Sequence, residues 1–180
     1  MDRDIGKNRT ELIKWGAIAL LSFFTAIIQS GFFVSLRLFG TAPDLCLALV
    51  LAIALKGDAR CGAICGLFSG FFLDCLSTEG FSLLIPFYFL IGVSVGLISE
   101  GKNQKGIFTF LITALVGSTV RGMLTLLEMS LTLSTFSFWH AISDAFVPYV
   151  LATMVFSPCG YFTGWVYEKI FLNEGRTTKR

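Results

Sequence analysis

The chain has 180 residues, of which 54% are hydrophobic and 14% are charged, and its formal net charge is +2. Soluble domains usually carry about 25% charged residues, so this composition excludes an ordinary water-soluble fold. The small net charge gives no reason to expect nucleic-acid binding, and the sequence instead predicts an integral membrane protein.

Apolar stretches along the chain predict about six membrane-spanning helices, because a helix of about 20 apolar residues crosses the hydrocarbon core. No cleavage-site pattern ends the first stretch, so we expect it to be a retained helix rather than a signal peptide. The second stretch starts with Pro43 in its first turn, where the missing N–H removes no hydrogen bond. The predicted helices cover residues 15–36, 43–55, 61–76, 81–98, 107–127 and 141–166.

The last apolar stretch contains Pro148 and Pro158. We interpret it as one long, kinked sixth helix, with residues 136–140 as an interfacial lead-in. Five spans is the alternative count. No segment between helices is long enough for a second domain, so we expect an all-α transmembrane bundle as a single domain over residues 15–168. Residues 1–14 and 169–180 are expected to be cytoplasmic tails.

The distribution of Lys and Arg predicts the orientation of this bundle. Twelve of the 14 basic residues lie in the two tails and in the second and fourth connecting segments. The first connecting segment has only Arg37, and Arg121 lies within a predicted helix. Cytoplasmic segments carry the excess of basic residues, so both tails are expected in the cytoplasm. This arrangement requires an even number of spans and supports six.

Five ionisable residues lie within or at the ends of predicted helices, where a buried charge costs about 2.5–3.5 kcal/mol. The acids belong to the external half of the predicted bundle, and we expect a polar cluster there in which Arg121 pairs with one acid. We interpret Asp74 and Arg121 as members of an interior, structural ion pair. Glu128 and Asp144 are interpreted as markers of helix ends. The five residues are Asp44, Asp74, Arg121, Glu128 and Asp144.

The third predicted helix carries small residues at a spacing of four, at Gly62, Gly66 and Gly70, followed by Asp74. This spacing places them on one helix face, and glycines there let a second helix approach closely. We interpret the face as a packing surface within the bundle rather than a dimer interface. The same spacing recurs at Gly92 and Gly96 and at Gly160 and Gly164.

No residue pattern in the sequence predicts catalysis, a metal site or a cofactor. The five cysteines lie within or beside apolar runs and are interpreted as small apolar side chains. The single histidine, His140, follows Trp139 at a predicted interface, where such residues anchor helices. No phosphate-binding loop and no nucleophile or zinc motif occurs.

Two stretches of the sequence resemble the MreD family of bacterial rod-shape proteins. The first is APDL at residues 42–45, which opens the second predicted helix. The second is the glycine repeat that ends in GFFLD at residues 70–74, followed by a short turn through Gly80. Chain length and the near absence of extramembrane domains extend the resemblance, whereas the part from Lys102 onward matches no motif.

This resemblance implies a non-catalytic scaffold or adaptor of the cell-elongation complex, which coordinates peptidoglycan synthesis at the bacterial cytoplasmic membrane. The implied partners, besides membrane lipid, are an MreC-like protein, MreB, a RodA-type glycosyltransferase and a penicillin-binding transpeptidase. It also implies a fold similar to the substrate-binding subunits of energy-coupling-factor transporters, which are six-helix bundles with an outward-facing pocket. The residues that carry the resemblance are Pro43, Asp44, Gly66, Gly70 and Asp74. In such a scaffold we expect the glycine-lined helix faces and the outward polar cluster to bind other membrane proteins, with Asp44 and Asp74 shaping a groove for a partner segment.

The alternative function is vitamin capture by a substrate-binding subunit of such a transporter. These subunits usually carry an A-x-x-x-A pattern on the first helix for docking a coupling subunit. Ala17, Ala19 and Ala26 do not have that spacing, which disfavours the alternative. A membrane-embedded enzyme is a third class, and the sequence nominates no residue set for it.

Overall fold

The computed structural model describes residues 2–33, 41–76, 83–100, 106–132 and 138–172. Within these ranges all regular elements are helical, and the expected all-α bundle is confirmed. Helix α1 is Asp2–Ile28, continued by a π-helical turn over Gln29–Phe33, and it is followed by α2 (Leu45–Lys56), α3 (Ala59–Leu76), α4 (Leu84–Glu100), α5 (Ile107–Thr132) and α6 (residues 138–172).

Four of these helices are long and apolar enough to cross a membrane, so the chain is a helical membrane protein. They cover Glu11–Phe32, Ala59–Leu76, Ile107–Leu131 and Trp139–Ile170. The remaining helices, α2 and α4, have 12 and 17 residues. At 1.5 Å per residue, α2 extends about 18 Å, which is well short of the roughly 30 Å hydrocarbon core.

The start of α2 differs from the sequence prediction. The helix begins at Leu45, and Asp44 is its N-cap residue. The Asp44 carboxylate accepts a hydrogen bond from the backbone N–H of Leu47 at 2.8 Å. Pro43 therefore precedes the cap, and its predicted position in the first turn was wrong. A residue whose carboxylate bonds the N–H of the third helical residue is the N-cap, so the helix starts at the residue directly after it.

Most other helices extend beyond the predicted limits. Helix α1 begins at Asp2 rather than near residue 15, and α5 continues past residue 127 to Thr132. The apolar pattern marks only the part of a helix that suits hydrocarbon, whereas the helix continues into polar residues. The predicted limits at residues 36 and 81 lie outside the described residues.

Helix α6 is continuous and contains both prolines, as the sequence predicts. Pro148 has no backbone N–H to donate to the preceding turn. The π-helical segment lies directly before the α-helical stretch that contains Pro148, and the hydrogen-bond pattern of the helix changes there. Residues 138–140, predicted as a lead-in, are helical. The parts of α6 are Phe138–Ala141, the π-helical Ile142–Phe146, Val147–Tyr167 and the π-helical Glu168–Leu172.

Helix α2 lies at the centre of the bundle. All its residues from Cys46 to Lys56 are buried, and it contacts each of the other five helices. An apolar helix has no reason to avoid lipid, so burial on every side reflects packing rather than hydrophobicity. The other helices therefore form a surround for α2.

Glycines allow α3 and α4 to approach backbone to backbone. A Cβ atom at Gly62 would overlap the backbone carbonyl of Gly92. A Cβ atom at Gly66 would overlap the carbonyl of Tyr88, and one at Gly70 would meet the first turn of α4. The glycine face recognised from the sequence thus packs against α4 within the bundle, and a partner protein has no access to it.

Small residues also bring α6 against α2. A Cβ atom at Gly160 would lie 2.5 Å from the Cβ of Ala48, and one at Gly164 would lie 2.7 Å from that of Ala52. Because residue numbers increase in the same direction along both helices in these two contacts, α2 and α6 run parallel. The glycine pair was visible in the sequence, whereas its alanine counterpart on α2 was not singled out.

The glycine contacts predict that Gly66→Ala lowers the free energy of unfolding by about 1–3 kcal/mol, because the added methyl group must push α3 away from α4. Gly16→Ala is the matched control, since a Cβ atom there meets nothing within 4 Å. Unfolding of both variants in detergent micelles, followed by circular dichroism, measures the difference. Equal stability of the two variants would contradict the close approach of α3 and α4.

Candidate functional site

The buried carboxylate of Asp44 joins three helices at the start of α2. Only 4% of Asp44 is exposed. Its Oδ1 atom accepts the capping bond from Leu47, and its Oδ2 atom accepts hydrogen bonds from the hydroxyls of Tyr88 at 2.5 Å and Tyr149 at 2.9 Å. The phenols come from α4 and α6, so this one side chain links both helices to the N-terminus of α2.

Two more side chains complete the same helix terminus. The backbone N–H of Asp44 donates to Oγ1 of Thr153 at 3.2 Å, and that of Cys46 donates to Oε1 of Gln29 at 2.8 Å. The first N–H groups of a helix have no partner within the helix, and hydrocarbon offers none, so buried side chains supply the acceptors. We call this set the Asp44 cluster, which consists of Asp44, Gln29, Tyr88, Tyr149 and Thr153.

Two π-helical segments lie beside the Asp44 cluster. Gln29 is the first residue of the segment Gln29–Phe33, and Ile142–Phe146 ends three residues before Tyr149. A π-helical insertion changes which residues face the interior and is frequent at functional sites. A Cβ atom at Gly122 would lie 2.7 Å from the Phe146 ring, so α5 packs tightly against this part of α6.

Arg121 of α5 supplies the positive charge near the Asp44 cluster. Its side chain is 14% exposed, and Nη1 lies 3.6 Å from Oε2 of Glu128. The guanidinium carbon lies 5.9 Å from the ring centroid of Phe87, the residue directly before Tyr88 of the Asp44 cluster. Arg121 therefore compensates the partly buried carboxylate of Glu128, which would otherwise be costly in hydrocarbon.

The other predicted ionisable residues, Asp74, Glu128 and Asp144, are not members of the Asp44 cluster. The structure pairs Arg121 with Glu128 rather than with Asp74, which is half-buried near the end of α3. Arg121 and Glu128 are two turns apart on one face of α5, so the pair is local to that helix. Asp144 is exposed and accepts a hydrogen bond from Ser143 at 2.8 Å. Glu128 therefore belongs to the interior pair and is more than a marker of a helix end.

Sequence reasoning missed the two phenols of the Asp44 cluster. Tyr88 is the fifth residue of α4, and Tyr149 follows Pro148 closely in α6. Both helices run parallel to α2, and the depth of Asp44 is reached near the start of α4 and near the start of the stretch Val147–Tyr167 of α6. A comparison of polar residues that lie at the same depth in alternate predicted helices would have identified both tyrosines.

The opposite end of α2 is also closed by polar contacts. Lys56 is 6% exposed, its Nζ lies 3.0 Å from Oε2 of Glu168, and it lies 5.0 Å from the ring centroid of Tyr161. The hydroxyl of Ser99 donates to the backbone carbonyl of Leu55 at 2.8 Å. Side chains of neighbouring helices therefore bond at both ends of the buried helix.

The chemistry of the Asp44 cluster is that of a closed structural clamp. Three donors occupy the Asp44 carboxylate, and a ligand would have to displace a buried phenol to reach it. No group of three or more His, Cys, Asp or Glu residues suited to a metal ion occurs in the described part of the chain.

Two apolar grooves lie on the bundle surface, one on either side of α5. The groove between α4 and α5 has a volume of about 630 Å³, and the one between α5 and α6 has a volume of about 530 Å³. Within the described residues, both grooves are lined by side chains of α5 and one neighbouring helix, and the residues of the Asp44 cluster do not line either of them.

No family model, curated protein or solved structure matches the chain. The resemblance to MreD therefore depends on the short stretches at residues 42–45 and 62–74.

The clamp predicts that Tyr88→Phe and Tyr149→Phe each lower the free energy of unfolding by about 1.5–3 kcal/mol, since each removes a buried hydrogen bond to a carboxylate. Because both phenols bond the same Oδ2 atom, the double variant should deviate from additivity by about 0.5 kcal/mol or more.

Thr119→Val is the control for these variants, because the Thr119 hydroxyl bonds only the preceding turn of its own helix, at Leu115. Its expected effect is within about 0.5 kcal/mol. Unfolding curves in detergent would contradict the clamp if the tyrosine variants were as stable as this control.

Proposed function

We propose that the protein is a non-catalytic scaffold of the bacterial cell-elongation complex, as its resemblance to MreD implies. The observation that carries the proposal is a contrast between interior and surface. The interior polar groups around Asp44 are occupied by partners within the bundle, whereas the apolar surface around α5 is open. Such a molecule is suited to bind other proteins through its outer helix faces.

The short connections between helices support this proposal. Residues 57–58 join α2 to α3, and residues 101–106 join α4 to α5. Segments of this length offer little surface outside the bilayer, so recognition of a partner falls mainly on the membrane-embedded helices. Helix association in lipid depends on close packing and not on a hydrophobic driving force, which suits a surface with preformed grooves.

The basic residues set the orientation within the proposal. Both tails lie in the cytoplasm of a bacterial cell, so the Asp44 cluster lies in the outer half of the membrane and the Lys56 end lies in the inner half. The cytoplasmic tails are then available to MreB. The helix surface is available to an MreC-like protein with one membrane span, to a RodA-type glycosyltransferase and to a penicillin-binding transpeptidase.

The glycine face has a different role in this proposal from the one that the sequence suggested. Asp44 and Asp74 had been expected to shape a groove for a partner segment, and the glycine-lined helix faces had been expected to contact the partner. Gly66 and Gly70 are occupied by α4, so their substitution disturbs the fold before it disturbs a partner. The partner-binding role therefore passes to the open surface around α5.

Depletion and co-purification test the proposed function together. In a rod-shaped bacterium that carries this gene, depletion of the protein is expected to give round cells, and re-expression is expected to restore rods. The protein purified in mild detergent is expected to bring with it an MreC-like protein with one membrane span.

The melting temperature of the protein in the presence of a panel of vitamins tests the alternative function. Ligands that bind the folded state raise its melting temperature by mass action, so a transporter subunit would be stabilised by one member of the panel. Normal rods after depletion, together with such stabilisation, would replace the scaffold with a vitamin-binding subunit.

A further inference from the structure

We propose that two helix ends form a gate over the Asp44 cluster, which opens while the rest of the bundle stays folded. The gate consists of residues 27–32 of α1 and residues 139–151 of α6. Its latch consists of the hydrogen bonds that Gln29 and Tyr149 make to the start of α2. Such a gate is a property of the fold and does not require the scaffold function.

Both gate segments are weakly embedded in the bundle. Within residues 27–32 and 139–151 no residue is buried. The next residues toward the core differ, since Ala26 of α1 and Ala152 of α6 are both 0% exposed. Segments with few buried side chains open at a lower free energy than the core, so these two helix ends can separate from α2 while the core stays packed.

Each gate segment also contains a place where a helix bends readily. Sharp bends occur mainly at prolines, at Gly/Ser pairs and at π-helical insertions. The α1 segment contains Ser30 and Gly31 within the π-helical turn Gln29–Phe33. The α6 segment contains the π-helical turn Ile142–Phe146, which is followed closely by Pro148. Bending at these places moves the adjoining turns of α1 and α6 relative to α2.

The latch residues lie at the edge of the Asp44 cluster. Oε1 of Gln29 accepts a hydrogen bond from the backbone N–H of Cys46 at 2.8 Å, and the Tyr149 hydroxyl donates to Oδ2 of Asp44 at 2.9 Å. Gln29 and Tyr149 are half-buried, whereas Tyr88, the other donor to that oxygen, is 1% exposed. A small movement of either helix end therefore separates its latch residue from α2.

Opening of the gate leaves the cap of α2 in place. The Asp44 carboxylate keeps its hydrogen bonds from the Leu47 N–H and the Tyr88 hydroxyl, because neither residue belongs to the gate. The start of α2 therefore stays helical. The change is one of access, since the Asp44 carboxylate and the Cys46 thiol, which are 4% and 0% exposed in the closed bundle, become reachable from its surroundings.

Labelling of the five cysteines with N-ethylmaleimide measures opening in the full-length protein in mild detergent. Cys46 lies beside the latch, Cys61 and Cys65 are equally buried on α3, and Cys75 and Cys159 are exposed. Tandem mass spectrometry of the peptides gives the rate at each position. The exposed cysteines are expected to react first, Cys46 next, and Cys61 and Cys65 last. Labelling of Cys46 no faster than that of Cys65 would overturn the gate.

Removal of either latch bond is expected to favour the open form. Gln29→Ala and Tyr149→Phe should each raise the labelling rate of Cys46 at least about fivefold, because the loss of one hydrogen bond shifts the opening equilibrium by that order. Tyr167→Phe is the matched control, since it removes a hydroxyl near the other end of α6, 3.9 Å from Sγ of Cys61. It should leave the rate at Cys46 unchanged.

The rate at Cys65 separates local opening from general loss of stability. A faster reaction at Cys46 with an unchanged rate at Cys65 is the result expected of a gate. A parallel rise at both cysteines would show that the bundle opens as a whole, and an unchanged rate at Cys46 in both latch variants would show that these bonds hold no gate. Either result overturns the gate and leaves the scaffold function to be decided by cell shape and co-purification.

Discussion

A short helix buried inside a membrane protein must have its terminal backbone groups satisfied by other side chains, and this constraint organises the molecule. Hydrocarbon provides no hydrogen-bond partners, and α2 is too short to reach water at both ends by itself. Asp44 and Gln29 cap its first turn, and Ser99 bonds the carbonyl of Leu55 near its end. Polar residues of α1, α4 and α6 are committed to these contacts.

The same constraint explains why the interior is closed and the surface is available. Once both phenols bond the Asp44 carboxylate, that carboxylate is engaged within the chain. Glycines and alanines then bring α3, α4 and α6 close enough for these short bonds to form. Helix α5 shares little surface with α4, which leaves an apolar groove between them on the outside of the bundle.

The outcome at particular residues shows how far sequence patterns reach. The repeat of Gly62, Gly66 and Gly70 identified a packing face, because its spacing is a property of one helix. The pairing of Arg121 with Glu128 had a sequence signature in the two-turn separation, yet Asp74 was the favoured member of an interior pair. The tyrosines of the Asp44 cluster were missed, because their role depends on the relative depth of three separate helices.

The sequence by itself determined that the chain is an all-helical membrane protein, approximately where its helices lie, and that a glycine face lies on α3. These are local properties, since composition, apolar run length and residue spacing act within one helix. Only the tertiary structure decided that α2 is the buried centre, that Asp44 bonds two phenols, and that α4 and α5 diverge. Those features depend on the rotation and depth of helices relative to one another, and many arrangements of apolar helices satisfy the same sequence pattern in lipid.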